Sequence, residues 1–305
     1  RKEFLALLDL AADLKVHPGR YRDLLSGCGL AMLFEKPSLR TRVTFDVAMQ
    51  EMGGHAVFLD FTESPLGERE DIVDVARNLE LWMDAIVART FEHESIELLA
   101  ASADVPVING LSDASHPCQA MADFLTLREA FDTFPHIKLA YIGDGNNTLH
   151  SLLEAAALAG VTMAVATPPD YEPSAEVVAR AQAIAKRSGA RITLGHKPAA
   201  AVHGAHAVYT DTWASMGQEA EQTQRARAFT GYQVNEELML RARPGARFLH
   251  CLPAHRGQEV TAAVMDSAAS LVYQQAENRL HAQKAILAAL ILGNTKTRKT
   301  ARASA

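Results

Sequence analysis

Apolar and polar positions alternate along the chain in two recurring kinds of segment. Short apolar runs rich in β-branched residues are separated by longer stretches in which apolar residues recur at helical spacing. Because strands that alternate with crossover helices build parallel sheets, this pattern predicts a doubly wound α/β architecture. The predicted strands are 29–34, 55–59, 84–88, 105–109, 137–142, 162–166, 191–194, 207–210, 247–251 and 271–273.

A turn divides this pattern into two parts. The stretch 132–136 (DTFPH) is followed by a fresh start of the alternation, which predicts two parallel-sheet domains at 1–133 and 134–277. A last helix, 278–292, is expected to end at Gly293. The polar remainder, 293–305, is read as a disordered tail, with an anion-binding tail as the alternative. The other predicted helices are 43–52, 72–81, 95–103, 120–131, 151–158 and 175–187.

Composition narrows the class of partner. The 305 residues suit two domains, and 48% hydrophobic residues are enough for a buried core. The formal net charge of −6 argues against nucleic acid or an anionic membrane as partner, so any bound anion must be held by a local cluster. No apolar run is long enough to predict a membrane span. The three cysteines form no CxxC pair, which favours a reducing cytoplasm and predicts neither disulfides nor a metal site.

The densest chemical signal is the segment PSLRTR at 37–42. It follows a predicted strand and opens a predicted helix, so hydroxyl groups, backbone N–H groups and two guanidinium groups come together at a helix N-terminus. That combination suits a phosphate dianion. The alternative is a solvated helix cap with ordinary surface arginines.

Two further segments lie at strand-to-helix junctions. In HPCQ (116–119), His116 and Gln119 are suited to hydrogen-bond a carbonyl or amide group, although a histidine at such a place is more often structural. The segment IGDGNN (142–147) raises the possibility of a dinucleotide site. The third glycine of that fingerprint is replaced by Thr148, and the next strand does not end in an acidic residue, so no nicotinamide cofactor is expected.

The last two segments also follow predicted strands. In DTWASMG (211–217) the carboxylate of Asp211 is suited to hold an amino group. In HCLPAH (250–255), Cys251 is either a small buried residue or a thiol nucleophile. All five segments fall at the carboxyl ends of strands, where α/β sheets bind their ligands.

In this order and at these separations, FEKPSLRTR, HPCQ, DTWASMGQE and HCLPAH resemble the aspartate/ornithine carbamoyltransferase family over nearly the whole chain. Within this family, SMG and HCLP are the sequence motifs that distinguish the enzymes acting on ornithine. The resemblance implies an N-terminal carbamoyl phosphate domain, a C-terminal amino-acid domain, and a last helix that packs back on the first domain. It also implies a homotrimer or a multiple of trimers.

The resemblance carries roles over residue by residue. It implies phosphate contacts from Ser38, Leu39, Arg40, Thr41 and Arg89. His116 and Gln119 match the pair that holds the carbamoyl group. Cys251 and Leu252 match the segment beside the transferring carbon, and Arg279 matches an arginine that closes on carbamoyl phosphate. The implied ornithine-binding residues are Asn147, Asp211, Ser215 and Met216, and the implied catalytic residues are Arg40, His116, Cys251 and Arg279.

Two positions depart from the family. Leu39 stands where many members have Thr, so only its backbone N–H can serve a phosphate. Many members insert a Gln from a loop into the neighbouring subunit's site, whereas the 62–70 loop has none and Pro65 is its nearest match.

The implied activity is carbamoyl transfer from carbamoyl phosphate to the δ-amine of L-ornithine, giving L-citrulline and phosphate without a metal or another cofactor. Arginine biosynthesis is the expected pathway, and the catabolic enzyme is the alternative. Putrescine or an N-acylated ornithine is an alternative acceptor. A non-catalytic anion-binding paralogue is the alternative from another class, although its chemistry residues would be expected to be damaged and here they are present.

Overall fold

The structure is a computed structural model that describes residues 1–214 and 221–303. Within these residues nine strands form two sheets, and every strand pair is parallel. The doubly wound α/β prediction is therefore confirmed. No helix in this part of the chain is long and apolar enough to cross a bilayer.

The first sheet has four strands in the order β2-β1-β3-β4 among the residues described. Strand β1 is buried along its whole length, as expected of a parallel strand covered by helices on both faces. The strands are β1 (Gly29–Phe34), β2 (His55–Asp60), β3 (Ala85–Arg89) and β4 (Val107–Leu111). The helices of this part are α1 (Lys2–Val16), α2 (Leu39–Glu51), α3 (Ile72–Trp82) and α4 (His93–Ser102), with a 3₁₀ turn at Pro18–Tyr21.

The second sheet has five strands in the order β7-β6-β5-β8-β9, again within the described part of the chain. Its strands are β5 (Lys138–Ile142), β6 (Thr162–Ala166), β7 (Ile192–Gly195), β8 (Ala207–Thr210) and β9 (Arg247–His250). The remaining helices are α5 (Pro117–Phe131), α6 (Asn147–Ala159), α7 (Ala175–Ser188), α8 (Pro198–Val202), α9 (Gln222–Ala228), α10 (Glu236–Leu240), α11 (Ala262–Met265) and α12 (Val272–Ala303).

The chain divides into two compact units. One comprises Leu5–Cys118 and Arg279–Ala305, and the other comprises Arg1–Phe4 and Gln119–Asn278. The division falls in the first turn of α5, whereas the sequence places the domain junction at residue 133, and the predicted ranges stay a prediction.

The last helix returns to the first sheet's unit, as predicted. Arg279 Nη2 donates to Thr41 Oγ1 over 2.9 Å, and the ammonium of Lys284 pairs with the carboxylate of Glu51. Both contacts join α12 to α2, so the C-terminal helix is part of the unit that contains the PSLRTR segment.

The structure differs from the predicted elements near the C-terminus. The predicted strand 271–273 is instead the beginning of α12, because Leu271 N–H makes one bond to the Phe248 carbonyl and Gln275 N–H then bonds the Leu271 carbonyl as in a helix. The helix also runs past Gly293. A glycine stops a helix by adopting a positive φ, and Gly293 does not. Disorder of the 293–305 tail stays a prediction.

The loop after β5 depends on a glycine for its position. Gly145 N–H donates to the Tyr171 carbonyl over 2.9 Å, and a Cβ on Gly145 would lie 2.3 Å from the carbonyl carbon of Glu172. The obstacle is backbone, which cannot move aside as a side chain would. Only glycine therefore allows this close approach between the loop and the 171–173 segment.

We expect Gly145→Ala to destabilise the protein by about 1–3 kcal/mol, because the added methyl group must displace backbone. The measurement is the free energy of urea unfolding, supported by the melting temperature. Gly195→Ala is the matched control, since no atom lies within 4 Å of its Cβ position. Equal stability of the two variants would contradict the packing described here.

Candidate functional site

In each sheet, the strand that comes first in the chain lies in the interior of the sheet. This strand order creates an opening at the carboxyl edge of the sheet. Strand β1 lies between β2 and β3, and β5 lies between β6 and β8. The connections after such neighbouring strands leave in opposite directions, and the crevice between them is where α/β sheets bind ligands. The PSLRTR and IGDGNN segments follow β1 and β5, so both lie at these switch points.

At the first switch point, the N-terminus of α2 presents the predicted phosphate segment. Ser38 caps the helix, and its hydroxyl accepts the Thr41 N–H over 3.2 Å. Arg40 is half-buried and Thr41 is buried. The Leu39 side chain is 73% exposed, so this departure from the family does not disturb the core. The positive end of the helix dipole and its first N–H groups favour an anion here.

Three arginines surround His116 in the same unit. Arg89 ends β3 and is 4% exposed, and Arg279 in α12 is 2% exposed. Burial holds the pKa of His116 well below its usual range, and the charges of Arg279, Arg89 and Arg40, in that order, lower it further. His116 is therefore a neutral imidazole in strongly positive surroundings. A positive cluster of this kind is suited to a phosphate group.

Two residues that the sequence analysis did not single out support this cluster. The carboxylate of Glu35 accepts the Leu66 N–H over 2.9 Å and the Phe91 N–H over 2.7 Å, which ties two loops to the end of β1. Lys36 is 8% exposed and its ammonium lies 4.4 Å from the centroid of the Phe91 ring. Burial lowers the pKa of Lys36, and the charge of Arg89 lowers it further. The sequence feature that could have identified Glu35 and Lys36 is their position between strand β1 and the PSLRTR segment.

Gln119 belongs to the other unit and is oriented by a buried carboxylate. Its amide nitrogen donates to Asp123 over 2.8 Å. Asp123 is fully buried and also accepts bonds from the Tyr209 hydroxyl, at 3.1 Å, and from the Gln275 amide, at 2.6 Å. The bond to Asp123 orients the Gln119 amide, whose carbonyl oxygen is a hydrogen-bond acceptor.

Asp211 and Cys251 meet at the second switch point. The thiol of Cys251 donates to Asp211 Oδ1 over 2.9 Å, and the Thr212 N–H donates to the same oxygen over 2.8 Å. The other carboxylate oxygen accepts the Asn146 amide over 2.9 Å. Since the thiol hydrogen is given to Asp211, the contact does not activate Cys251 as a nucleophile. Asn147, the predicted ligand, begins α6 directly after Asn146.

His250 and Leu252 flank the cysteine. The Leu252 N–H donates to His250 Nδ1 over 2.9 Å, so His250 carries its proton on Nε2, which lies 3.2 Å from the buried carboxylate of Glu259. Leu252 itself has a left-handed backbone, with φ of 60°. Such strained backbone occurs where surrounding structure holds a functional segment in place.

A metal does not fit the residues of this cluster. Ligand-type atoms of Asp211, His250 and Cys251 lie within 4.8 Å of one another. Both ring nitrogens of His250 have protein partners, Leu252 and Glu259, so Asp211 and Cys251 alone could reach an ion. A structural or catalytic zinc site requires three or four protein ligands.

An ion pair that the sequence analysis missed connects the loop after β5 with α9. Arg225 Nη1 lies 3.0 Å from Asp144 Oδ2, and both side chains are less than a tenth exposed. The same guanidinium donates to the Trp213 carbonyl over 2.9 Å and to Glu221 over 2.9 Å. Arg225 therefore links the described residues on both sides of 215–220 to the loop at the carboxyl end of β5.

The structure thus places the predicted residues in two groups, one in each unit. The first contains Ser38, Leu39, Arg40, Thr41, Arg89, His116 and Arg279. The second contains Gln119, Asn147, Asp211, Cys251 and Leu252. The predicted ligands Ser215 and Met216 lie outside the described residues.

Two family models match nearly the whole chain. The model described as "Aspartate/ornithine carbamoyltransferase, carbamoyl-P binding domain" matches residues 1–129. The model described as "Aspartate/ornithine carbamoyltransferase, Asp/Orn binding domain" matches residues 135–290.

Known proteins are similar over the same length. "Ornithine carbamoyltransferase" of Shewanella oneidensis is 52% identical over 291 residues, covering 95% of this chain and 96% of the relative. "Ornithine carbamoyltransferase, anabolic" of Pyrococcus furiosus is 50% identical over 297 residues, covering 97% and 94%. The solved structure of ornithine carbamoyltransferase from Pyrococcus furiosus has a TM-score of 0.92 at 50% identity, covering 96% of this chain and 94% of that one.

The Asp144–Arg225 pair predicts a specific pH dependence of stability. Burial raises the pKa of Asp144 from 3.8 to about 6, against the opposing charge of Arg225. A carboxyl whose pKa is raised on folding stabilises the protein most below the unfolded pKa, and this contribution is lost as the pH rises through 6. Relative to Asp144→Asn, the wild type should lose up to about 3 kcal/mol of unfolding free energy between pH 4 and pH 7. Urea unfolding of both proteins across this range measures it, and a constant difference would contradict the raised pKa.

Proposed function

The chain belongs to the aspartate/ornithine carbamoyltransferase family, and from this premise we propose that it transfers the carbamoyl group of carbamoyl phosphate to the δ-amine of L-ornithine. The products are L-citrulline and inorganic phosphate. The observation that carries the proposal is the group of three arginines around a neutral, buried His116, at the N-terminus of α2.

The phosphate of the substrate is assigned to this group of residues. The first N–H groups of α2, the hydroxyls of Ser38 and Thr41 and the charge of Arg40 are suited to its oxygens. Arg89 and Arg279 supply further charge from β3 and α12. These groups favour the leaving phosphate even more strongly as it gains negative charge in the transition state.

The carbamoyl group is assigned to His116, Arg40 and Gln119. A neutral imidazole can donate a hydrogen bond to the carbonyl oxygen without adding another charge. Arg40 stabilises the same oxygen as it becomes an oxyanion, which is worth about 3 kcal/mol for each well-placed donor. The carbonyl oxygen of Gln119 accepts an N–H of the carbamoyl amide. Cys251 and Leu252 are assigned to the side of the transferring carbon.

Ornithine is assigned to the second group. The Asp211 carboxylate orients the ammonium end of the amino acid, with Asn147, Ser215 and Met216 as the other proposed ligands. Cys251 contacts the attacking amine, which is supported by its 2.9 Å hydrogen bond to Asp211. An amine with pKa near 10.4 is about a thousandth neutral at pH 7.4, which costs roughly 4 kcal/mol. Stabilising the neutral amine is therefore a large part of the task.

The reaction needs no covalent enzyme intermediate. The neutral amine nitrogen attacks the carbonyl carbon, a C–N bond forms, and the bond between that carbon and the phosphate oxygen breaks with its electron pair on phosphate. The proton released by the nitrogen is taken up by the phosphate. No residue has to act as nucleophile, which is consistent with the protonated thiol of Cys251.

The proposal also covers the metabolic pathway, the cellular compartment and the assembly of the enzyme. We assign the enzyme to arginine biosynthesis, supported by the word anabolic in the name of the Pyrococcus furiosus relative. We place it in the cytoplasm, supported by its three cysteines, which form no disulfide, and we propose that it assembles as a homotrimer or a multiple of trimers. A catabolic role is the alternative.

We expect Arg40→Gln to lower kcat for citrulline formation by about a hundredfold or more, because one oxyanion donor is worth about 3 kcal/mol. The matched control is Arg42→Gln. Arg42 is exposed and its guanidinium stacks 3.6 Å from the centroid of the Phe58 ring. Steady-state citrulline assays on both variants, with melting temperatures, measure the effect. Near-normal turnover of Arg40→Gln would refute the assigned role, and no turnover in the wild type would favour an anion-binding paralogue.

We expect kcat/KM for L-ornithine to exceed that for putrescine, N-acetylornithine and aspartate by about a hundredfold or more. A site built for the amino-acid end loses paired polar contacts with analogues that lack or block it. The four acceptors are compared side by side with carbamoyl phosphate held saturating, and phosphate release is followed. A preference for putrescine or N-acetylornithine would replace the proposed substrate and leave the carbamoyl transfer intact.

A further inference from the structure

A pocket lies at the opposite edge of the five-stranded sheet from Asp211. It has a volume of about 320 Å³ and is formed by residues that directly precede β5, β8 and β9. Asp211 and Cys251 follow β8 and β9, so the pocket is separated from them by the length of these strands. The lining residues are Phe131, Thr133, Pro135, His136, Ile137, His206, Arg243, Pro244, Gly245 and Ala246.

The lining residues include the guanidinium of Arg243 and no carboxylate. His136, His206 and Arg243 carry its titratable groups. Neither His136 nor Arg243 has an acidic partner among the residues that the structure describes. In a chain with a formal net charge of −6, a concave surface lined by a guanidinium and no carboxylate is suited to a small anion.

The contacts of His206 indicate where that anion binds. The backbone N–H of Lys138 donates to His206 Nδ1 over 3.1 Å, so a neutral His206 carries its proton on Nε2. Arg243 Nη1 lies 2.6 Å from this Nε2, and a guanidinium has only donors. Two donor groups therefore face one another with no acceptor between them. An oxygen atom of an anion accepts from both and removes the conflict.

Backbone hydrogen bonds fix the main chain of Arg243, whose exposed side chain lines the pocket. Arg243 N–H donates to the Ala205 carbonyl over 3.1 Å, and the Arg243 carbonyl accepts the Ala246 N–H over 2.9 Å across a turn. Pro244 and Gly245 form the centre of this turn, and Gly245 has a φ of 79°. Proline followed by a glycine with positive φ is the preferred pair for a tight turn of this kind.

Apolar groups form the rest of the wall. The ring of Phe131 meets the His206 ring edge-on, with centroids 6.0 Å apart. Pro135 and Pro244 line the same space. A volume of about 320 Å³ lies at the lower end of the range for pockets that bind small organic molecules.

We propose that this pocket binds a phosphoryl oxyanion, whose oxygen lies beside His206 Nε2 and the guanidinium of Arg243 and accepts a hydrogen bond from each. The ligand is inorganic phosphate or the phosphate group of a small organic ester, whose organic part contacts Phe131 and the two prolines. The site is separate from the proposed catalytic one, and its occupancy does not require turnover.

The test follows the His206 ring by NMR in full-length protein labelled with ¹³C at histidine Cε1, with its signal assigned from His206→Gln. Inorganic phosphate and glycerol 3-phosphate are titrated separately at constant ionic strength, so that general screening is held fixed. Without ligand, burial and the charge of Arg243 lower the pKa of His206, and we expect a bound anion to raise it.

Arg243→Gln should weaken this binding by about tenfold or more, since a charge-assisted hydrogen bond is lost. Citrulline formation by this variant should match the wild type, which separates failure of the pocket from failure of the proposed activity. Stronger binding of the ester than of phosphate identifies an organic ligand, and equal binding identifies free phosphate. The proposal is overturned if neither probe shifts His206 at millimolar concentration, or if Arg243→Gln responds as the wild type does.

Discussion

The parallel direction of all strand pairs, with the first strand of each sheet in its interior, is the constraint on which the rest depends. Right-handed crossovers from an interior strand lead first to one side and later to the other. In both sheets this leaves an opening at the carboxyl edge, beside β1 and beside β5. The segments that carry hydroxyl, guanidinium and carboxylate groups follow these strands. Strand order therefore determines where these groups lie, and the local sequence determines which groups they are.

The arginines around His116 make this part of the molecule positive, although the chain as a whole has a negative net charge. The chain has a formal net charge of −6, yet Arg40, Arg89 and Arg279 all act on His116. Buried positive charge is unfavourable unless counterions or hydrogen bonds offset it, and a protonated histidine would add to it. Keeping His116 neutral limits this cost. A phosphate dianion would reverse the sign of the interaction, so we expect such a ligand to relieve the electrostatic repulsion within the unit.

The fold was largely predictable because each strand and helix is a contiguous pattern. Nine predicted strands agree in position with those of the described residues, whereas 271–273 failed because a short apolar run does not distinguish a strand from the start of a buried helix. The candidate ligands were found in the same way, as contiguous motifs at strand ends. The Asp144–Arg225 pair was not found, since its partners are 81 positions apart and no local pattern encodes such a pairing. The two opposed donors at His206 and Arg243 could likewise not be predicted, since their contact is visible only in the three-dimensional structure.

The two ends of β8 lie in different chemical surroundings, with His206 before the strand and Asp211 after it. Five steps of about 3.3 Å place these residues roughly 16 Å apart. Over that distance a unit charge interacts by only about 0.3–1 kcal/mol for effective dielectric constants of 80 to 20. Strand β8 is buried and paired with β5 and β9 on its two sides, which opposes any sliding that would add to this coupling. An anion at His206 should therefore stabilise the unit through its own contacts and leave the affinity for ornithine nearly unchanged.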